Sequence, residues 1–92
     1  MNTFTIHSGS KAIWLSDDAA PLLRVASQLE TLGFSVGAVV DGLDVIECRL
    51  TRDELTYSLS WDVWGGLVFF PYEPEGEALI PAVLEHLRSV GW

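Results

Sequence analysis

The sequence predicts an α+β fold, a two-layer sandwich in which two helices cover one face of a mainly antiparallel sheet of four to six strands, in the order β(β)αββββα. Apolar residues at helical spacing in Leu22–Leu32, and again in Ile80–Leu87, give two stretches that each bury a single stripe. The segment between them alternates apolar and polar residues with a period of two, broken by turn signals rich in Gly and Asp. Helices with one apolar stripe and strands with one apolar face satisfy each other most simply as two layers.

Thr3–His7 and Lys11–Leu15 are short β-like runs on either side of Ser8-Gly9-Ser10, so the chain is expected to open as a hairpin or a bulged strand. Asp17-Asp18 offers N-cap oxygens and Pro21 suits a first helical turn, which places the first helix start near Ala19. Leu22, Val25, Ala26, Leu29 and Leu32 share one face, and Gly33 supplies a left-handed ending after which Phe34 folds back on Leu29. Ser35–Val40, a type I′ turn at Asp41-Gly42 and Leu43–Thr51 form a hairpin. In its second strand Ile46, Cys48 and Leu50 face inward while Glu47, Arg49 and Thr51 face out.

A turn near Arg52-Asp53 leads into the cleanest alternation, with Leu55, Tyr57, Leu59 and Trp61 inward and Thr56, Ser58, Ser60 and Asp62 outward. Gly65-Gly66 reverses the chain into Leu67–Phe70, in which either Leu67 and Phe69 or Val68 and Phe70 face the core. Pro71 has no amide to donate, so this strand ends there or lies on an edge. Glu73, Glu75 and Glu77 lead into the second helix, where Ile80, Val83, Leu84 and Leu87 share a face and Gly91-Trp92 repeats the ending of the first. The helix-free face of the sheet, carrying Glu47, Arg49, Thr51, Thr56, Ser58, Ser60 and Asp62, is expected to be wet.

A chain of 92 residues, 49% apolar and 20% charged, has room for one core, so residues 1–92 are expected to form a single domain. Its formal net charge of −8 opposes association with nucleic acid or anionic lipid and favours basic partners. The acidity is local: Asp41–Glu77 carries −7, against −1 for Met1–Val40 and zero for Ala78–Trp92. Cys48 has no second cysteine to pair with, and His7 and His86 stand far from it and from each other, so neither a disulfide nor a metal set is expected. A reducing cytoplasm suits such a chain. No basic leader with an apolar core opens the sequence, and no apolar run approaches the ~18–20 residues of a membrane span.

Catalysis is not predicted. Asp41, Asp44 and Glu47 surround one hairpin, but acid and base work needs carboxyls whose environments split their pKa values. Here Asp41 suits the turn and Glu47 the solvated face. Glu73, Glu75 and Glu77 gain ~0.3–1 kcal/mol from a helix start, and the spacing of a calcium loop is absent. Gly-x-Ser-x-Gly and glycine-rich phosphate loops are absent too, and Cys48 falls on an apolar strand face, where a thiol ionises poorly. No cofactor is expected. Among the aromatics, Trp61 and Trp14 are assigned to the core, as is Tyr57 with its hydroxyl at the rim. Trp64, in the turn before Gly65-Gly66, suits core and interface equally, and Tyr72 follows Pro71 at the far end of the same hairpin; Trp and Tyr are the residue types enriched at binding hot spots.

In size, charge and acidic-aromatic character the chain resembles the small neutralising proteins of bacteria and phages, the immunity proteins and inhibitors that occlude a basic toxin or nuclease. That resemblance implies a stoichiometric binder of a basic protein rather than an enzyme. The residues expected to carry binding are Asp41, Asp44, Glu47, Asp62, Glu73 and Glu75 for electrostatic steering, with Trp64 and Tyr72 as anchors. The alternative is a structural or regulatory homodimer formed through a sheet edge or apolar β face. A small-molecule carrier or enzyme would need a pocket between helices and sheet.

Overall fold

A computed structural model describes residues 1–92. Strands β1 (Asn2–Thr5) and β2 (Lys11–Ser16) precede helix α1 (Leu22–Thr31). Strands β3 (Ser35–Asp41), β4 (Val45–Arg52), β5 (Leu55–Asp62) and β6 (Gly66–Pro71) follow. A 3-10 turn, Pro74–Leu79, then leads into helix α2 (Ile80–Ser89). The strands form one 6-stranded sheet in the order β1-β2-β6-β5-β4-β3, antiparallel at every pairing. The fold is therefore the α+β sandwich expected. β3 to β6 form a meander of successive hairpins, and β2 inserts beside β6 by pairing Ile13 with Phe69.

The helical stripes fall where spacing puts them: Leu22, Val25, Ala26 and Leu29 from α1 and Ile80, Val83 and Leu87 from α2 are buried. They meet Ile13, Cys48, Leu50, Leu59 and Leu67 of the sheet in one core. At its centre Phe34 stands edge-on to Tyr57 (ring centroids 5.0 Å apart, 83° between planes) and to Phe69 (5.7 Å, 88°), while Tyr57 and Phe69 stack at 5.5 Å. Full burial of an aromatic side chain such as Phe contributes about 1.5–3 kcal/mol. Phe34 reaches this place because of the helix ending before it. Gly33 adopts φ 93° and donates to Glu30 C=O at 3.0 Å, and Phe34 N–H donates to Leu29 C=O at 3.1 Å. The end of α2 is built identically, with Gly91 at φ 96°, Gly91 N–H to Arg88 C=O at 3.2 Å and Trp92 N–H to Leu87 C=O at 3.0 Å.

Local expectations at several positions are corrected. α1 begins at Leu22 rather than near Ala19, with Pro21 at the cap position and no side-chain oxygen on its first turn. Asp17-Asp18 is held to the sheet instead: Ser16 Oγ accepts from Asp18 N–H at 3.0 Å, and Trp61 Nε1–H donates to Asp17 C=O at 2.9 Å. The β3–β4 turn is centred on Leu43-Asp44, not Asp41-Gly42, because Asp41 still pairs with Ile46 and Gly42 N–H donates to Val45 C=O at 2.7 Å. A bulge between Val36 and Val39 absorbs the extra length, and Gly37 sits in it, where a Cβ would lie 2.9 Å from Arg49 C=O. The paired positive φ angles of a type I′ turn occur at Asp53 (52°) and Glu54 (67°), between β4 and β5. Tyr57 does not reach the rim: it is fully buried and its hydroxyl donates to Gly76 C=O at 3.3 Å.

Candidate functional site

Pairing of β6 with both β2 and β5 determines the helix-free face. Leu67 and Phe69 point into the core, so Val68 and Phe70 point out. Trp14 is paired with Val68 and shares that outer face, which corrects its assignment to the core. With Phe4 and Ile6 these side chains border an open recess of about 640 Å³ whose opposite wall carries Ser60 and Asp62. Half of a face expected to be wet is thus apolar. The reason is topological: β2 lies beside β6, a neighbour its own sequence does not announce.

The other half is a saturated polar cluster. Glu47 on β4 accepts from Ser58 Oγ at 2.8 Å and Tyr72 Oη at 2.9 Å through Oε2, and lies 3.5 Å from Arg49 Nε through Oε1. The Arg49 guanidinium covers the Tyr72 ring at 5.2 Å, and that ring stacks on Phe70 at 5.7 Å. Partial burial pushes the Glu47 carboxyl upward, but the Ser58 and Tyr72 hydrogen bonds and the Arg49 charge outweigh it, so the group is held below its ordinary value of 4.5. Burial, the bond donated to Glu47 and that carboxylate's charge push the Tyr72 hydroxyl above 10.0 against the pull of Arg49. Glu47 is accordingly an ionised, structural carboxylate. Burial likewise raises Cys48 above 9.0, with the Glu47 charge adding to it, which leaves a neutral thiol packed in the core.

The remaining expected residues divide between the two ends of the sheet. Val63 N–H donates to Asp44 C=O at 3.2 Å, so the β3–β4 and β5–β6 turns are tied together at one end. There Trp64 (92% exposed) and Leu43 (101%) both stand out into solvent. Asp62 lies beneath Trp64, and its Oδ1 accepts the backbone N–H groups of Trp64 and Gly65, so it shapes the turn that presents the ring. Asp41 lies at the same end, near Ala19, Leu23 and Val39 on the helix side.

At the opposite end Glu73 Oε2 accepts from Thr56 N–H at 2.9 Å, extending the β5–β6 pairing past Pro71, while Glu75 lies exposed in the 3-10 turn. The structure therefore joins Glu47 to Tyr72, gathers Asp41, Asp44, Asp62 and Trp64, and sets Glu73 and Glu75 apart. Leu43, exposed Val40 and Val45, and Arg49 belong to these surfaces and were missed. A leucine between Gly42 and Asp44 in a turn was the signal for the first of them.

No group of three His, Cys, Asp or Glu side chains is arranged to hold a metal ion, and no helix is long and apolar enough to cross a membrane. Comparison with protein-family models, curated proteins and solved structures finds no match to this chain.

Proposed function

We propose that this chain is a small, non-enzymatic binding module that neutralises a basic protein, such as a toxin or nuclease, by stoichiometric occlusion in the cytoplasm. The observation that carries this is the sheet end where Leu43 and Trp64 are fully presented on hydrogen-bonded turns among Asp41, Asp44 and Asp62. The connections there, residues 17–21, 42–44 and 63–65, contain no Lys or Arg. An exposed tryptophan buries a large area with little loss of rotamer freedom, and surrounding carboxylates accelerate encounter with a cationic surface. A binding rather than catalytic role is supported by Glu47, whose bonds keep it ionised instead of poised to exchange a proton near neutrality.

The test compares wild-type and Trp64→Ala baits in quantitative affinity capture from host extract at low and high salt. A protein of basic isoelectric point is expected on the wild-type bait at low salt, reduced at least tenfold on the variant and released by salt. Equal capture by both baits, or a salt-indifferent acidic partner, would sink the proposal. A tight dimer in sedimentation, with no such partner, would replace it with self-association.

A further inference from the structure

β3 is an edge of the sheet and, at seven residues, is longer than the four-residue edge β1. It contains neither Lys nor Pro, the residues that commonly blunt an edge, and Val39 and Val40 are exposed along it. The bond from Gly42 to Val45 sets the alternation of the ladder. Residues 42 and 40 bond toward β4, while Val39 and Asp41, opposite Cys48 and Ile46, direct their N–H and C=O groups away from the sheet.

An apolar recess flanks this free edge on each side. On the helix-free face Ala38, Val40, Gly42 and Val45 border one of about 560 Å³. On the helix side Ala19, Leu22, Leu23, Val39 and Ile46 border one of about 260 Å³. A strand laid against β3 sends successive side chains to opposite faces, so a single extended segment meets both recesses. Asp41 lines the helix-side recess and Asp44 lies in the turn at the end of β3, both without a cationic partner, while Glu47 and Arg49 line the outer recess as an ion pair with Arg49 also over the Tyr72 ring.

We propose that β3 accepts an extended apolar segment flanked by Lys or Arg, contributed by the basic partner, as a seventh strand of the sheet. This rests on the protein-binding function above and supplies its mode: backbone bonds at Val39 and Asp41 give affinity, and the two recesses select alternate side chains. A second copy of this chain is a poorer occupant, since each copy carries −8 and would bring its own Asp41 and Asp44 to the joint.

A capped peptide, Lys-Lys-Val-Ile-Val-Ile-Lys-Lys, serves as the probe, with amide hydrogen exchange read residue by residue. Saturating peptide is expected to slow exchange at Val39 and Asp41 at least tenfold. Val39→Pro, which removes an outward N–H, and Val40→Lys, which places a like charge in the outer recess, should each weaken peptide binding at least tenfold, and Glu85→Gln, on the exposed face of α2, should not. Two substitutions of different kind guard against one of them unfolding the chain. Unchanged exchange at Val39 and Asp41, full binding by both variants, or protection of the edge by concentration alone would overturn the proposal. If the captured partner depends on Trp64 and salt but ignores Val39→Pro, the edge mode fails and the neutralising function stands. If the peptide docks on the edge while capture ignores Trp64, the converse holds.

Discussion

Gly66 has a position in the chain that no other residue type can fill. It opens β6 at φ 78°, and a Cβ there would lie 2.5 Å from Ser16 C=O and 3.0 Å from Trp14 Nε1. Gly66→Ala is expected to cost about 2–3 kcal/mol, a left-handed penalty plus a backbone clash, read as a lower urea midpoint with an unchanged slope. Glu47 makes a second prediction at this scale. Its folded pKa lies below 4.5, so its contribution is present above the unfolded pKa and is lost as pH falls through the folded value. Tyr72 and Tyr57 are raised above 10.0, so theirs is present below that pH and lost as pH climbs through the folded values. Glu47→Gln should therefore flatten the acid side of a stability-against-pH profile below about pH 4.5. Tyr72→Phe should flatten that side in part, and leave on the alkaline side the loss that belongs to Tyr57. The outward direction of Glu47 was legible from alternation. Its three partners were not, because Tyr72 approaches it from a segment 25 residues away.

The two helix endings offer a matched comparison between elements. Leu-Gly-Phe after α1 and Val-Gly-Trp after α2 make the same pair of hydrogen bonds around glycines at φ 93° and 96°. Alanine at either site incurs about 1–2 kcal/mol of left-handed strain. After Gly33 the chain must enter β3 and deliver Phe34 to the core, whereas Trp92 is only partly buried and Gly91 has open space around it. Gly33→Ala should thus show its full cost in thermal melts, and Gly91→Ala markedly less because the backbone there has open space to relax and only a partly buried Trp92 to hold in place. Both endings were legible, since a Schellman ending is local: a glycine, an apolar residue after it and a helical stripe before it suffice. The β3–β4 turn was misplaced by two residues because Asp41-Gly42 is a good turn sequence in isolation. The register that overrides it comes from Ile46, Cys48 and Leu50 needing the core face, with the difference absorbed in a bulge at Gly37.

For the whole molecule, a net charge of −8 on 92 residues makes the folded state repel itself. Neutral salt is expected to raise Tm by screening that repulsion, most steeply below about 0.1 M, where the Debye length exceeds ~10 Å. A flat or falling Tm would show that local ion pairs outweigh it. Fold class was legible because periodicity and turn chemistry are properties of neighbouring residues. The place of β2 was not, and with it went the apolar half of the helix-free face, for nothing near Trp14 says that Val68 lies beside it. That same pairing sets a timetable for assembly. Every contact from β3 to β6 joins successive strands, so the meander can close as it is made. Ile13, in contrast, must wait for Phe69 to be synthesised, a delay of several seconds at ~5–20 residues per second. During that interval the first hairpin has its apolar side chains exposed and no sheet to join.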